Sequence, residues 1–129
     1  MKIFLSILLI SLSLGAQVKY QEPIIPAEQG KLYNEIIALR SSSPQKALSK
    51  FSELPQNYSA AFDYLRAIIL IDQKLDKRAK TFLRQALKKH PTFYQARLTM
   101  AQLILTQSDY KAALPELLEI VKLGRADGQ

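Results

Sequence analysis

Cysteine is absent from all 129 residues, which excludes structural disulfides, thiolate metal sites, cysteine nucleophiles and a lipid-modified cysteine near the amino terminus. Histidine occurs once, as His90 beside Pro91 at an expected helix end, where an imidazole interacts favourably with the last carbonyls. One histidine without cysteine makes no recognisable metal site, and no spacing of Ser, Asp and His outlines a catalytic triad. Glycine is scarce, four residues in all, and no glycine loop could cradle a phosphate. Strand-like alternation is missing throughout, and no apolar run reaches the roughly 20 residues that a membrane-spanning helix needs. The carboxylates Asp63, Asp72, Asp76, Asp109, Glu116 and Glu119 are scattered, as expected of solvated charges at helix ends and faces. Neither a cofactor nor an enzyme follows from this inventory.

Hydrophobic residues make up 48% and charged residues 22%, the composition of an ordinary globular protein of one modest domain. The charge is uneven. The formal net charge is +7, and between residues 74 and 97 the bases Lys74, Lys77, Arg78, Lys80, Arg84, Lys88, Lys89 and Arg97 face Asp76 alone. Such a region attracts acidic proteins or another anionic surface.

Met1 and Lys2 give a short positive start, residues 3–14 form an apolar run broken only by serines, and Ser13 to Ala16 supply small residues. That is the plan of a secretory signal peptide over residues 1–15, with Ser13 and Gly15 at the positions that prefer small side chains. The expected location is periplasmic or secreted. Nucleic acid is not an expected partner there, and no membrane span is expected once the leader is removed. An uncleaved anchor is the alternative.

Residues 16–26 read as an extended lead-in because Pro23 and Pro26 disfavour helix. Six helical segments are then expected, over residues 27–40, 45–54, 60–73, 77–89, 92–106 and 110–123. Pro44 opens the second, and Ser108 or Asp109 is placed to cap the last. Pro115 conflicts with an unbroken final helix, since a proline past the first turn costs about 3 kcal/mol or more. The expectation is a later start or a bend.

Placing residues 60–93 over residues 94–127, a shift of 34, aligns Ala67 with Ala101, Gln73 with Gln107, Lys77 with Lys111, Ala79 with Ala113, Leu83 with Leu117 and Lys88 with Lys122. Helices that cross closely need small side chains at the contact, and the paired alanines meet that need. This pattern resembles the tetratricopeptide repeat, which has small residues in both helices, a large apolar residue four after the second, and a closing proline such as Pro91. Asp63 and Arg97 depart from it where the family has an aromatic, and Arg125 stands where its last proline would fall. Residues 27–58 form a degenerate unit, aligning Ala47 with Ala79 and Phe51 with Leu83 at a shift of 32. A generic helical bundle is the alternative.

The resemblance implies an all-α fold over residues 27–129 in which antiparallel helix pairs stack as a short right-handed solenoid. It also implies a concave groove lined by first helices, here Tyr64, Ile68, Ile71, Asp72, Leu98, Gln102 and Leu105. Such a groove takes a protein or peptide segment, and its apolar character suits an amphipathic helix better than a terminal carboxylate. On the second helix, Lys77, Lys80, Arg84 and Lys88 form a basic stripe, read either as an anion-binding face or as a solvated outer surface. The expected role is a scaffold in an envelope assembly. One alternative is the amino-terminal part of a larger envelope protein, similar in layout to the surface lipoprotein assembly modifiers. A small ligand-binding protein or enzyme is the other.

Overall fold

The computed structural model describes residues 21–107 and 109–125. The leader, the lead-in before Gln21, Ser108 as a cap, and residues 126–129 lie outside the described residues. Every regular element among the described residues is helical: α1 (Ala27–Arg40), α2 (Pro44–Ser49), α3 (Ala60–Asp72), α4 (Asp76–Lys89), α5 (Tyr94–Thr106) and α6 (Tyr110–Arg125).

Local chemistry sets the boundaries. Pro44 is the first residue of α2, where its missing N–H removes no helical bond. The helix expected over residues 45–54 is shorter than that, giving way to a 3₁₀ turn at Lys50–Glu53. The Ser49 hydroxyl donates to the Lys46 carbonyl at 2.7 Å and the Ser52 hydroxyl to the Ser49 carbonyl at 2.9 Å, local bonds that compete with α-helical pairing. Pro55 then holds Leu54 extended at ψ 136°. Ser59 caps α3, its hydroxyl accepting from the Ala61 N–H at 3.2 Å. Asp109 caps α6 in the same way, accepting from the Ala112 N–H at 3.0 Å. α6 starts at Tyr110 and runs through Pro115 as one element, so the later start is excluded. The proline withholds the N–H that the Lys111 carbonyl would otherwise accept.

Helix α3 closes with the Lys74 N–H bonded to the Ile71 carbonyl and the Leu75 N–H to the Leu70 carbonyl, both at 2.9 Å. This is a Schellman cap, and it holds Lys74 in the left-handed region at φ 61°. The bond from Leu75 to Leu70 recurs one repeat later at the end of α5, from the Asp109 N–H to the Ile104 carbonyl at 3.3 Å. Lys74→Gly removes the side-chain clash of that conformation and should stabilise the fold by about 0.5–1 kcal/mol. Urea unfolding checks this, and Lys74→Val should shift the midpoint the other way.

The period extends to the elements themselves. The start of α5 at Tyr94 follows that of α3 at Ala60 by the same interval that separates α6 at Tyr110 from α4 at Asp76. The earlier intervals, from Ala27 of α1 to α3 and from Pro44 of α2 to α4, are slightly shorter. α3 is buried on two sides and joins two cores. On one side Phe62, Leu65 and Ile69 meet Ile36, Ala47 and Phe51 from α1, α2 and the 3₁₀ turn. On the other, Ala60, Ala67 and Leu70 meet Ala79, Leu83 and Ala86 of α4 and Phe93, Ala96, Met100 and Leu103 at α5. Ala67 and Ala79 are fully buried in this second core, and Ala101 and Ala113 are buried where α5 packs on α6. Such burial leaves no room for longer side chains.

One polar residue ties α1 to α3. The Gln29 side chain is buried, donating to the Asn57 carbonyl at 3.1 Å and accepting from the Ser59 N–H at 3.0 Å. Both ends of its amide are thereby satisfied.

Candidate functional site

The seven residues assigned to the groove fall into two groups. Tyr64 and Ile71 are half-buried and pack on the core shared by α3, α4 and α5. The Tyr64 ring lies 5.1 Å from that of Phe93, and its hydroxyl is 3.5 Å from that of Thr99. The Tyr64 side chain thus joins one helix pair to the next. Ile68, Leu98 and Leu105 are half-buried, while Asp72 and Gln102 are exposed.

Asp72 has a partner from another helix. Arg40, the last residue of α1, reaches it with Nε at 2.7 Å and Nη2 at 3.3 Å. The hydrogen bond to Asp72 raises the Arg40 pKa above its usual value. Arg40 is therefore part of this surface, and nothing in the period marked it, because α1 follows a different shift. The pair is exposed on both sides, and its contribution to stability is within about 1 kcal/mol.

On α4, Lys77, Arg84 and Lys88 are exposed, and none of them forms an ion pair among the described residues. Lys80 is half-buried, and its ammonium donates to the Gln107 side chain at the far end of α5. The neighbouring Arg66 on α3 lies between two rings, 5.2 Å from the Phe51 centroid and 4.2 Å from that of Phe82. Burial lowers its pKa, and the Arg78 charge adds to the effect against opposing contributions from Tyr58 and Asp63.

Asp63 departs from the expectation of a solvated carboxylate: it is 2% exposed. The Tyr58 hydroxyl donates to its Oδ1 at 2.9 Å, and Lys89 Nζ stands 2.9 Å from its Oδ2. The same ammonium lies 3.1 Å from the Tyr58 ring centroid. Lys89, one of the bases between residues 74 and 97 but not of the stripe, thus turns inward. The repeat partner of Asp63 behaves alike with the charge reversed. Arg97 pairs with Glu116 at 3.0 Å and donates to the Pro91 carbonyl at 3.0 Å. The available signal was a charged residue in both units where an aromatic was expected.

The lead-in crosses the α4–α5 turn. The Gln21 N–H donates to the Thr92 carbonyl at 3.3 Å, and the Gln21 carbonyl meets His90 Nε2. Burial raises the Glu22 carboxyl pKa, although the Gln95 backbone N–H and His90 both act to lower it. By linkage, the stability this group contributes is greatest below its ordinary value and is lost as pH rises through the raised one. Pro23, Ile24, Asn57, Tyr58, Lys89 and His90 border an open cleft of about 420 Å³ beside it. Its polar groups are engaged within the fold, His90 by a backbone carbonyl and Lys89 by Asp63. Among the described residues no three acidic, histidine or cysteine side chains converge as a metal site would require. No described helix is long and apolar enough to cross a membrane.

No family model matches this chain, nor does any curated protein or solved structure.

Proposed function

We propose that the chain is an exported interaction module of tetratricopeptide kind, a scaffold that holds a peptide or protein segment without chemically changing it. The observation that carries this reading is the recurrence, at one common period, of helix starts and of the closing bond made by Leu75 to Leu70 and by Asp109 to Ile104, with alanines buried where the helices pair. Stacked units of that kind build extended surfaces suited to binding. In this reading the concave side presents Ile68, Asp72, Leu98, Gln102 and Leu105, and Tyr64 and Ile71 position the helices behind it. The ligand is an amphipathic helix or extended apolar segment in the periplasm or outside the cell.

The test is capture from envelope extract by the tagged mature chain, beside an Ile68→Glu, Gln102→Lys variant of unchanged helicity. The variant should lose at least about tenfold of the specifically recovered protein. Equal recovery by both rejects the groove. Reversing Lys80 and Arg84 to Glu, at low and high salt, separates a binding role of the stripe from a solvated one.

A further inference from the structure

Helix α6 exposes an apolar face that its counterpart α4 does not. At α4, Leu83 is fully buried and Leu87 half-buried, packed in the core to which α5 contributes Phe93, Ala96, Met100 and Leu103. One repeat later, Leu83 becomes Leu117 and Leu87 becomes Val121, with exposures of 36% and 49%. Two further positions widen the difference. Where α4 carries Lys80 and Arg84, α6 carries Leu114 and Leu118, at 55% and 54% exposure. Tyr110, Leu114, Leu117 and Val121 follow at spacings of four, three and four, which places them on one side of the helix. A contiguous exposed stripe of this kind marks an interaction surface.

Charge identifies the cover. Exposed Lys111 and Lys122 stand along one edge of the stripe; Glu116 is turned inward to Arg97, and Glu119 meets Lys122 at 3.1 Å in an exposed pair that leaves the Lys122 side chain 73% open to a partner. A second copy is poorly suited to this rim. The chain has 18 basic residues against 11 acidic ones, and Asp63, Asp72, Glu116 and Glu119 are already paired within the fold. At the other end, α1 exposes Glu28, Lys31 and Asn34 and a single large apolar side chain, Ile37, too little for head-to-tail stacking. We infer that the α6 face docks a helix of another polypeptide, apolar at the spacing of Phe93, Ala96, Met100 and Leu103 and acidic along the edge that meets Lys111 and Lys122. The inference rests on the correspondence of α4 with α6 and is independent of the concave groove.

Two synthetic four-turn peptides test it, both carrying Phe, Ala, Met and Leu at that spacing, one with Glu and the other with Lys at the flanking positions. By fluorescence anisotropy the Glu peptide should bind the full chain at micromolar concentration, and the Lys peptide at least about tenfold more weakly. Leu114→Ser with Leu118→Ser, both exposed and so tolerated by the fold, should weaken the Glu peptide about tenfold or more. Lys111→Glu with Lys122→Glu should reverse the preference between peptides. Absence of binding, equal binding of both peptides, or indifference to the leucine changes overturns the proposal. Sedimentation adds a further arm: a dimer that the leucine changes dissolve makes a second copy the occupant and overturns it. So does loss of peptide binding in a natural chain that continues past Gln129, which would place the covering helix in cis. Failure of the Ile68 and Gln102 variant to alter capture rejects the groove and leaves this result untouched.

Discussion

Lys89→Met should destabilise the fold by about 3–5 kcal/mol, and Asp63→Asn by clearly less. The asymmetry follows from where the two charges sit. Asp63 has a side-chain exposure of 3%, against 38% for Lys89. Removing the carboxylate charge leaves an ammonium that is already partly hydrated and still lies against the Tyr58 ring. Asparagine also keeps an oxygen for the Tyr58 hydroxyl, which donates to Asp63 at 2.9 Å. Removing the ammonium instead strands a carboxylate inside α3 with the Tyr58 hydroxyl as its remaining hydrogen-bond donor and the Arg66 charge as its remaining attraction. Urea unfolding of the two variants and their combination gives the measurement. The double variant should be more stable than Lys89→Met alone, because the stranded charge is gone. A Lys89→Met loss equal to or smaller than that of Asp63→Asn would contradict the arrangement.

This pair also shows where sequence reading stops. The helices were legible because their signals are local: prolines at entries, serine and aspartate caps, and apolar residues at helical spacing. The repeat period was legible because packing constrains alanines at the same place in successive units, Ala67 with Ala101 and Ala79 with Ala113. Burial of Asp63 was not, since it depends on Lys89, a full helix pair's length away, turning inward from a run in which Lys77, Arg84 and Lys88 stay exposed. The Arg40–Asp72 and Gln29–Asn57 contacts are hidden for the same reason: each joins segments whose approach is set by tertiary packing. The 3₁₀ turn after α2 was missed because serine hydroxyls bonding three residues back compete weakly with the helix, a competition that composition does not decide. Among the groove candidates, periodicity put Tyr64 and Ile71 on the first helix of a unit. It could not distinguish a face turned toward a ligand from one turned toward the next helix pair.

Leu83→Ala should cost about 2–5 kcal/mol, while Leu117→Ala, at the equivalent repeat position, should cost under about 1.5 kcal/mol in the isolated chain. The residue type and helix position are the same; the neighbours differ. Leu83 is fully buried in a core to which α3, α4 and α5 all contribute, so truncation leaves a cavity that Ala67, Ala79 and Ala86 are too small to fill. Leu117 remains 36% exposed, so water enters the space its side chain leaves and the cavity contribution is largely absent. Chemical denaturation of the two variants checks the difference, and equal losses would mean that α6 is covered already. A covering helix reverses the comparison for binding. With the acidic-edged peptide present, Leu117→Ala should weaken the complex, whereas Leu83→Ala should lower stability with and without peptide by similar amounts. The same leucine therefore reports core packing in one unit and occupancy of an open face in the next.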